Sequence, residues 1–471
     1  DARIHTPLHH RRVVRVRETT GNVGERALLV QSLMDITDLR RLLESQDIDI
    51  ALARRLLDAV ARPQRRHVDL GNDLSLFVES RVWPCQKAGG DHALVRVRHD
   101  ITGGSLTSLA LCDQSGHEVN CVLRGVYTTL ILDNLLRGPR HALDERLERL
   151  NALLEQSGVF RDTEFVTGWF ADIDHEVAIL TCAACGHPPA FLVRDGQVRL
   201  LPEPGASGLN SPLAILPEPP FTAAAERLKP GDRLIACTDG LLEMPQRNQR
   251  RRFTASMLAR VLQAFVRDAP DASVSELADA LVAAVSAFSG ESVGGPDGRN
   301  SSADDVSLLL MELEPVHNTR QWTLHPRTVA EVAHSVDVIV RNLVPAWENL
   351  GLHSPEFRLR SILEESLTNI WEHGHHRNPD LPIRVRAWVR NDFVLELSGC
   401  GEGFEPERVP DPRLPDRLLA ERGRGLFMMR RAADSIEWLH EGRTLRAALH
   451  RPPSTRIRQS KFENVLDILN K

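Results

Sequence analysis

Tyrosine is almost missing from this chain, at one residue in 471, and all aromatics together make up 5%. Unspecific binding of single-stranded nucleic acid relies on exposed aromatic platforms, so that class of partner is disfavoured. No charge of one sign dominates. The formal net charge of −6 provides no general attraction to nucleic acid or to anionic lipid. No apolar run approaches the ~20 residues that a bilayer-spanning helix requires, and the N-terminus lacks a secretory apolar stretch. The expected location is cytoplasmic, with no nucleic acid and no membrane as partner.

Cysteine is sparse and odd in number, at seven residues (85, 112, 121, 182, 185, 237 and 400), mostly inside apolar runs. That usage argues for reduced, buried thiols rather than a disulfide framework. Cys182-Ala-Ala-Cys185 is a lone CxxC without a second pair, and a packing role is favoured over metal or redox use. The chain begins at Asp1, so a longer parent protein is expected.

At 471 residues the chain exceeds one ordinary core, and 42% hydrophobic with 26% charged residues is normal for a globular protein. Residues 1–65 read as a helical linker or signalling segment. Leu33, Ile36, Leu39 and Leu43, then Leu52, Leu56 and Val60, form an interrupted helical stripe. It fits packing onto the next domain as well as a signalling helix that forms a homodimer, and too few heptads persist for a coiled coil. From 66 to 315, strand candidates at 106–112, 177–183, 197–201, 233–237 and 306–313 mix with helical tracts at 119–137, 142–157 and 254–288. Residues 290–302 read as a flexible loop. From 316 to 451, helices at 326–350 and 355–372 precede strands at 383–389 and 393–397. Residues 452–471 read as a C-terminal tail. The fold class is α+β, in two layered domains.

Four aspartates stand where strand-like runs stop, beside small residues: Asp91 in AGGDH, Asp113 in LALCDQSGH, Asp239 in LIACTDGLLE and Asp304 in SSADDVSLLLMEL. Each alone is most simply a turn or cap residue. Converging, they would repel strongly unless a cation neutralised them. All-oxygen donors suit Mg²⁺ or Mn²⁺, and two such ions can activate water for attack on phosphorus.

Taken in order, the GGD, DxSGH, CGHPP, CTDGLLE and DDVSLLL motifs resemble the SpoIIE-like branch of the metal-dependent PPM serine/threonine phosphatases, over about 66–315. The resemblance implies an αββα sandwich with two Mn²⁺ or Mg²⁺ ions between the sheets. It implies that Asp113 bridges both ions as the central catalytic residue, that Asp91, Asp239 and Asp304 complete the metal set, and that the Gln114 carbonyl assists. Two departures stand out. Asp91 is followed by His92-Ala93-Leu94 instead of aromatics and a further aspartate, and Glu118 replaces a small residue after SGH.

A second constellation starts at Ser354-Pro355-Glu356, a helix start with proline in the first turn. Glu365, Asn369 and His373 recur at i, i+4 and i+8, on one face. Gly401-Glu402-Gly403 and Gly423-Arg424-Gly425 come next, flanking a lid-like stretch, and their glycines would allow backbone N–H groups to approach phosphates. Arg417, Arg422 and Arg424 are candidates to reach a γ-phosphate. His373, His375 and His376 lack partner ligands at metal-site spacing and read as helix-end residues, and His9-His10 as a solvated patch.

EESLTNIWEHG and GRGL, within about 325–450, resemble the GHKL (Bergerat) ATP-binding fold in its RsbW-like, anti-sigma-factor serine kinase branch. The resemblance implies an α/β sandwich binding ATP with Mg²⁺. Glu365 would be the general base, Asn369 the Mg²⁺ ligand, and Gly401, Gly403, Gly423 and Gly425 would surround the nucleotide. Gly399 stands where the family has an aspartate contacting the adenine amino group, which leaves open either weakened nucleotide binding or a purely protein-binding domain. The implied partner is a phosphorylated STAS-domain anti-sigma factor antagonist, with a sigma factor or anti-sigma factor as a further candidate. A two-component histidine kinase is the weaker alternative, since no phosphoacceptor helix pair precedes residue 355.

Overall fold

A computed structural model describes residues 2–5, 11–23, 26–35, 52, 55–57, 64–71, 74–85, 89–99, 104–116, 119–161, 163–246, 251–290, 292–293, 304–316, 319–348, 351–352, 354–403, 405 and 425–451. The N-terminal part departs from the helical expectation. Strands β1 (Ala2–His5), β2 (Arg11–Val23) and β3 (Arg26–Asp35) form an antiparallel sheet. Arginine alternating with Val14 and Val16 in RRVVRVR has the period of a strand, and it outweighs the loose leucine spacing. Most of the leucine stripe lies outside the described residues, and so does the expected helical dimer contact.

Twelve strands then build two facing sheets. They are β4 (Arg65–Gly71), β5 (Leu74–Trp83), β6 (His92–His99), β7 (Ser105–Gln114), β8 (Val166–Asp174), β9 (Ile179–Cys185), β10 (Ala190–Arg194), β11 (Gln197–Leu201), β12 (Leu209–Asn210), β13 (Ala224–Arg227), β14 (Arg233–Cys237) and β15 (Val306–Pro315). One sheet runs β11-β10-β14-β15-β5-β4, the other β12-β9-β8-β7-β6, with β13 against β9. Leu76, Val78, Leu111, Trp169, Leu192, Leu309 and Met311 fill the space between them.

Helices cover both outer faces. α1 (Val119–Arg137) and α2 (Leu143–Gln156) lie on one side, where Leu147, Leu150 and Leu154 meet Leu94, Ala110 and Phe170. A short α3 (Asp239–Leu242) comes after β14. On the other side α4 (Ala255–Asp268) and α5 (Val274–Ser289) pack Leu258, Val261, Leu281 and Val285 onto Phe77, Ile235 and Leu310. The tract expected over 254–288 is two helices: Pro270 removes a backbone donor, and Ser273 starts α5 with a reciprocal cap to Glu276. Covered on both faces, β15 is buried along nearly its whole length, which is why it reads as a continuous apolar run.

The last domain is one antiparallel sheet in the order β16-β17-β18-β20-β19, from β16 (Arg320–Leu324), β17 (Ile383–Val389), β18 (Asp392–Ser398), β19 (Ser435–Leu439) and β20 (Thr444–His450). Helices α6 (Val329–Glu348), α7 (Pro355–Asn369) and α8 (Gly425–Ala432) pack Val336, Ile339, Leu363 and Met429 against Val385, Leu395, Leu445 and Leu449. The tail at 452–471 lies outside the described residues.

The two domains meet through buried polar groups. The β17–β18 turn carries Arg390, Asn391 and Asp392 to the β4–β5–β15 edge. The Asp392 carboxylate accepts from Arg65 at 2.7 Å and lies 3.1 Å from His67 Nε2, while His67 Nδ1 lies 3.2 Å from Glu314. Asn391 donates to Glu312 and Glu314, both at 2.8 Å, and Arg390 donates to Glu312 at 2.6 Å. Every one of these carboxylates is buried, so the seam is a paired ionic network and not a wet rim.

Candidate functional site

Antiparallel pairing brings four loop ends to one edge of the sandwich. His92 of β6 pairs with Cys112 of β7, so Asp91 and Asp113 sit at the same end of that sheet. Cys237 of β14 pairs with Leu308 of β15, which sets Asp239 beside Asp304 and Asp305 on the other sheet. The two ends are tied together. Thr238 donates its hydroxyl to Asp91 at 2.8 Å, and the same oxygen accepts the Ser307 N–H at 3.0 Å. The Gly90 N–H and the Cys85 N–H both donate to the Asp305 carboxylate, at 2.7 and 2.8 Å.

Asp305 thus joins the site, although the motifs single out only its neighbour. It is buried and pins the GGD loop, whereas Asp304 is exposed at the rim. The Asp-Asp doublet is the available signal, since two adjacent carboxylates at a strand start point in different directions.

The electrostatics reflect this crowding. Burial, then the charges of Asp239, Asp304 and Asp305, push the Asp113 carboxyl up to about 8. Burial and the nearby Asp113 and Asp305 raise Asp91 well above the usual carboxylate range, and burial and Asp304 raise Asp239. Gln114 is buried beside Gly90, its side chain 3.4 Å from the Thr128 hydroxyl. No group of three or more His, Cys, Asp or Glu side chains among the described residues is drawn tightly enough to hold a metal ion as it stands. The donor set nevertheless fits hard divalent cations, because it is all oxygen and its mutual repulsion is what a cation would relieve. His92 and His187 are not part of it: burial lowers both to about 4, so they are neutral packing residues.

Close approach explains the small residues here. A Cβ on Gly240 would overlap the Asp305 carbonyl oxygen, and one on Gly89 would overlap the Asp305 carboxylate. Gly240→Ala should therefore push the Asp239 turn off the Asp304–Asp305 turn, and any phosphoester hydrolysis at this site should fall by about a hundred-fold, the size of loss a misplaced reacting group produces. Steady-state hydrolysis of a phosphopeptide, alongside circular dichroism to show the fold intact, checks this.

The second site is a cavity of about 700 Å³ in the last domain, lined by Glu365, Asn369, Gly399, Gly401, Gly403 and Gly425 among others. Its volume is that of a small-molecule pocket. Glu365 and Asn369 both come from α7, as their spacing predicts. Burial and then the neighbouring Glu364 raise the Glu365 pKa above the usual carboxylate value. The glycines have a packing reason invisible in the sequence. A Cβ on Gly425 would strike the Glu365 carboxylate, and Cβ atoms on Gly401 and Gly403 would strike the carbonyl oxygens of Gly374 and Glu441. Gly423 and the arginines 417, 422 and 424 lie outside the described residues. His373 and His375 both line the cavity, and His375 is buried against the 399–401 loop, its Nε2 accepting the Cys400 N–H. All described cysteines are free thiols, and Cys182 and Cys185 are both buried. No described helix is long and apolar enough to cross a membrane.

Residues 103–314 match the family Stage II sporulation protein E (SpoIIE), and residues 323–449 match the histidine kinase-like ATPase domain. Among solved structures, the RsbU and RsbW domains of Rv1364c from Mycobacterium tuberculosis align with a TM-score of 0.51 at 17% identity, covering 83% of this chain and 96% of that one. The SiaA-PP2C domain of Pseudomonas aeruginosa aligns at 0.42 and 18% identity, over 59% of this chain and 99% of that one. The PP2C phosphatase domain of SpoIIE from Bacillus subtilis, with a fragment of its regulatory domain, aligns at 0.39 and 16% identity, over 64% of this chain and 70% of that one. The fold is thus a PP2C-type α+β sandwich followed by a GHKL-like sheet domain.

Proposed function

We propose that this chain, a SpoIIE-type PP2C phosphatase domain followed by a histidine kinase-like ATPase domain, is a partner-switching regulator that removes phosphate from serine or threonine of a protein. The substrate we favour is a STAS-domain anti-sigma factor antagonist, with the second domain acting on the same pathway. The observation that carries this reading is the convergence of Asp91, Asp113, Asp239 and Asp304 from four strand ends, in one chain with a cavity built around Glu365 and Asn369.

Asp91, Asp113, Asp239, Asp304 and the Gln114 carbonyl would hold Mn²⁺ or Mg²⁺. When bound, such ions supply positive charge against the phosphoryl oxygens and activate water. Thr238 orients Asp91 by its hydrogen bond, and Asp305 holds the loop that presents it. In the second domain Asn369 would serve the Mg²⁺ of ATP. Glu365 would take the hydroxyl proton of a serine as its oxygen attacks the γ-phosphorus and ADP leaves.

The test is to incubate the full chain with the phosphorylated partner and Mn²⁺, then with unphosphorylated partner and ATP, and to follow phosphate by mass. Metal-dependent loss of phosphate, and gain with ATP, are the expected results. Glu365→Gln should slow the gain by about a hundred-fold or more, the usual contribution of a positioned base, and leave the loss unchanged. A second reading has the last domain as a protein-binding module around an active phosphatase, which the absence of a side chain at Gly399 favours. Phosphate loss without any gain would select it.

A further inference from the structure

We propose that Arg124 is a positioning residue of the phosphatase site, holding the turn that presents the Asp113 carboxylate and the Gln114 carbonyl. This rests on Mn²⁺ or Mg²⁺ binding at the four aspartates and assigns the side chain that orients two of the ligands.

Strand β7 ends where the first site begins. Asp113 and Gln114 still pair with Thr167 and Val166 of β8. The Ser115 N–H extends the ladder by one bond, donating to the Phe165 carbonyl at 3.1 Å. That N–H and the Gln114 carbonyl belong to one planar trans peptide, so they point to opposite sides. The Gln114 carbonyl is thereby turned away from β8 and toward the GGD loop, where a Cβ on Gly90 would stand 3.0 Å from it. The next peptide leaves the ladder. The Phe165 N–H donates to the Ser115 hydroxyl at 2.9 Å, in place of the carbonyl that would complete the pair. The Ser115 carbonyl accepts from the Arg124 guanidinium instead.

Arg124 comes from α1 and is 5% exposed. Its other terminal nitrogen donates to Glu164 at 2.6 Å, and the guanidinium lies 5.9 Å from the Phe160 ring centroid. Glu164 is itself fixed by its turn. Its second carboxylate oxygen accepts the Arg161 N–H at 2.9 Å, and its own N–H donates to the Arg161 carbonyl at 2.8 Å. One buried guanidinium therefore ties α1, the turn after β7 and the 161–165 segment ahead of β8. Both terminal nitrogens have partners within the protein, which assigns the side chain to the turn and not to a substrate phosphate. A planar fork can span a carbonyl and a carboxylate in fixed directions, whereas an ammonium is a point charge on a flexible stem. Groups that orient metal ligands from outside typically cost about 10- to 100-fold in metal affinity or activity when removed.

The measurement is calorimetric titration of the full chain with Mn²⁺ alone, followed by phosphopeptide hydrolysis over a range of Mn²⁺ concentrations. Arg124→Met keeps an apolar stem beside Phe160 and loses both donors, and it should weaken Mn²⁺ binding by about tenfold or more. Turnover at saturating Mn²⁺ should return to within about threefold of the parent, with KM for the phosphopeptide unchanged. Arg124→Lys, which keeps the charge without the fork, should fall between the two. A folded Arg124→Met with parental Mn²⁺ affinity overturns the inference, even if it melts at a lower temperature. A raised KM with parental Mn²⁺ affinity also overturns it, and places Arg124 on the substrate. If the parent binds Mn²⁺ but hydrolyses nothing, the phosphatase reading fails while the titration still decides the role of Arg124. A parent that binds no Mn²⁺ overturns both. Should Arg124→Met not fold, Arg124→Lys decides: about threefold weaker Mn²⁺ binding is expected, and parental affinity overturns the inference.

Discussion

Asp113→Asn should reduce phosphoprotein hydrolysis by at least about a hundred-fold, since even the outer hydrogen-bond partners of a metal site cost up to that much when removed. Asp113 lies near the end of β7 where the two sheets converge, and its carboxyl is pushed up to about 8 by burial and then by Asp239, Asp304 and Asp305. The same crowding makes a second outcome expected. Without metal, replacing one of several repelling carboxylates by a neutral isostere removes a cost, so metal-free Asp113→Asn should melt higher than the metal-free parent. Added Mn²⁺ should raise the melting temperature of the parent more than that of the variant. Opposite changes in activity and stability distinguish a functional carboxylate from a structural one. A variant that loses both would place Asp113 among the residues that merely hold the fold.

Asp392→Ala should destabilise the chain by about 3–5 kcal/mol, the usual result of removing one partner from a buried ionic group. Asp392 is fully buried and accepts from Arg65, with His67 3.1 Å away, so its loss leaves two cationic side chains short of a partner. Burial alone would raise the Asp392 pKa, but His67 and Arg65 hold it well below its ordinary 3.8. Burial alone would lower that of His67, but the Glu314 charge and the Asp392 hydrogen bond carry it from 6.5 up to about 9.

Together these shifts set a pH window. His67, raised on folding, contributes fully below 6.5, and that contribution is lost as pH climbs through about 9. Asp392, depressed on folding, contributes above 3.8 and loses its share as pH falls through its folded value. The seam is therefore firmest between roughly pH 5 and 6.5 and weakens on the alkaline side. Guanidinium unfolding at about pH 6 and again near pH 9.5 checks both points. The stability gap between parent and Asp392→Ala should narrow at the higher pH. A gap under about 1 kcal/mol at pH 6 would mean the seam behaves like exposed ion pairs.

The four aspartates of the first site and the Glu365–Asn369 pair of the second are legible in the sequence. Each set depends on short-range order: a carboxylate at a strand end, or two residues one helical turn apart. Strands such as β14 and β15 are legible for the same reason, as apolar runs with sharp polar ends. Local pattern fails where it is ambiguous. The arginine–valine alternation of β2 is outweighed by leucine spacing in a helical reading of 1–65, and β5, β6, β8 and β20 are hidden among charged or mixed residues.

Read alone, the chain settles which side chains are available, an all-oxygen acidic set and a carboxylate one helical turn from an amide, and the order of its two domains. Packing in three dimensions settles who does what within each set. Asp305 is a clamp and Asp304 a rim residue because hydrogen bonds from Cys85 and Gly90 cross more than two hundred positions. The same kind of distant approach places Asp392 against His67, and the π-turn Ile370–Gly374 after α7 leads into His375, which fills the space at Gly399. No local spacing encodes which remote backbone will occupy a side chain's place, so such roles emerge only when the sheets and helices have closed on one another.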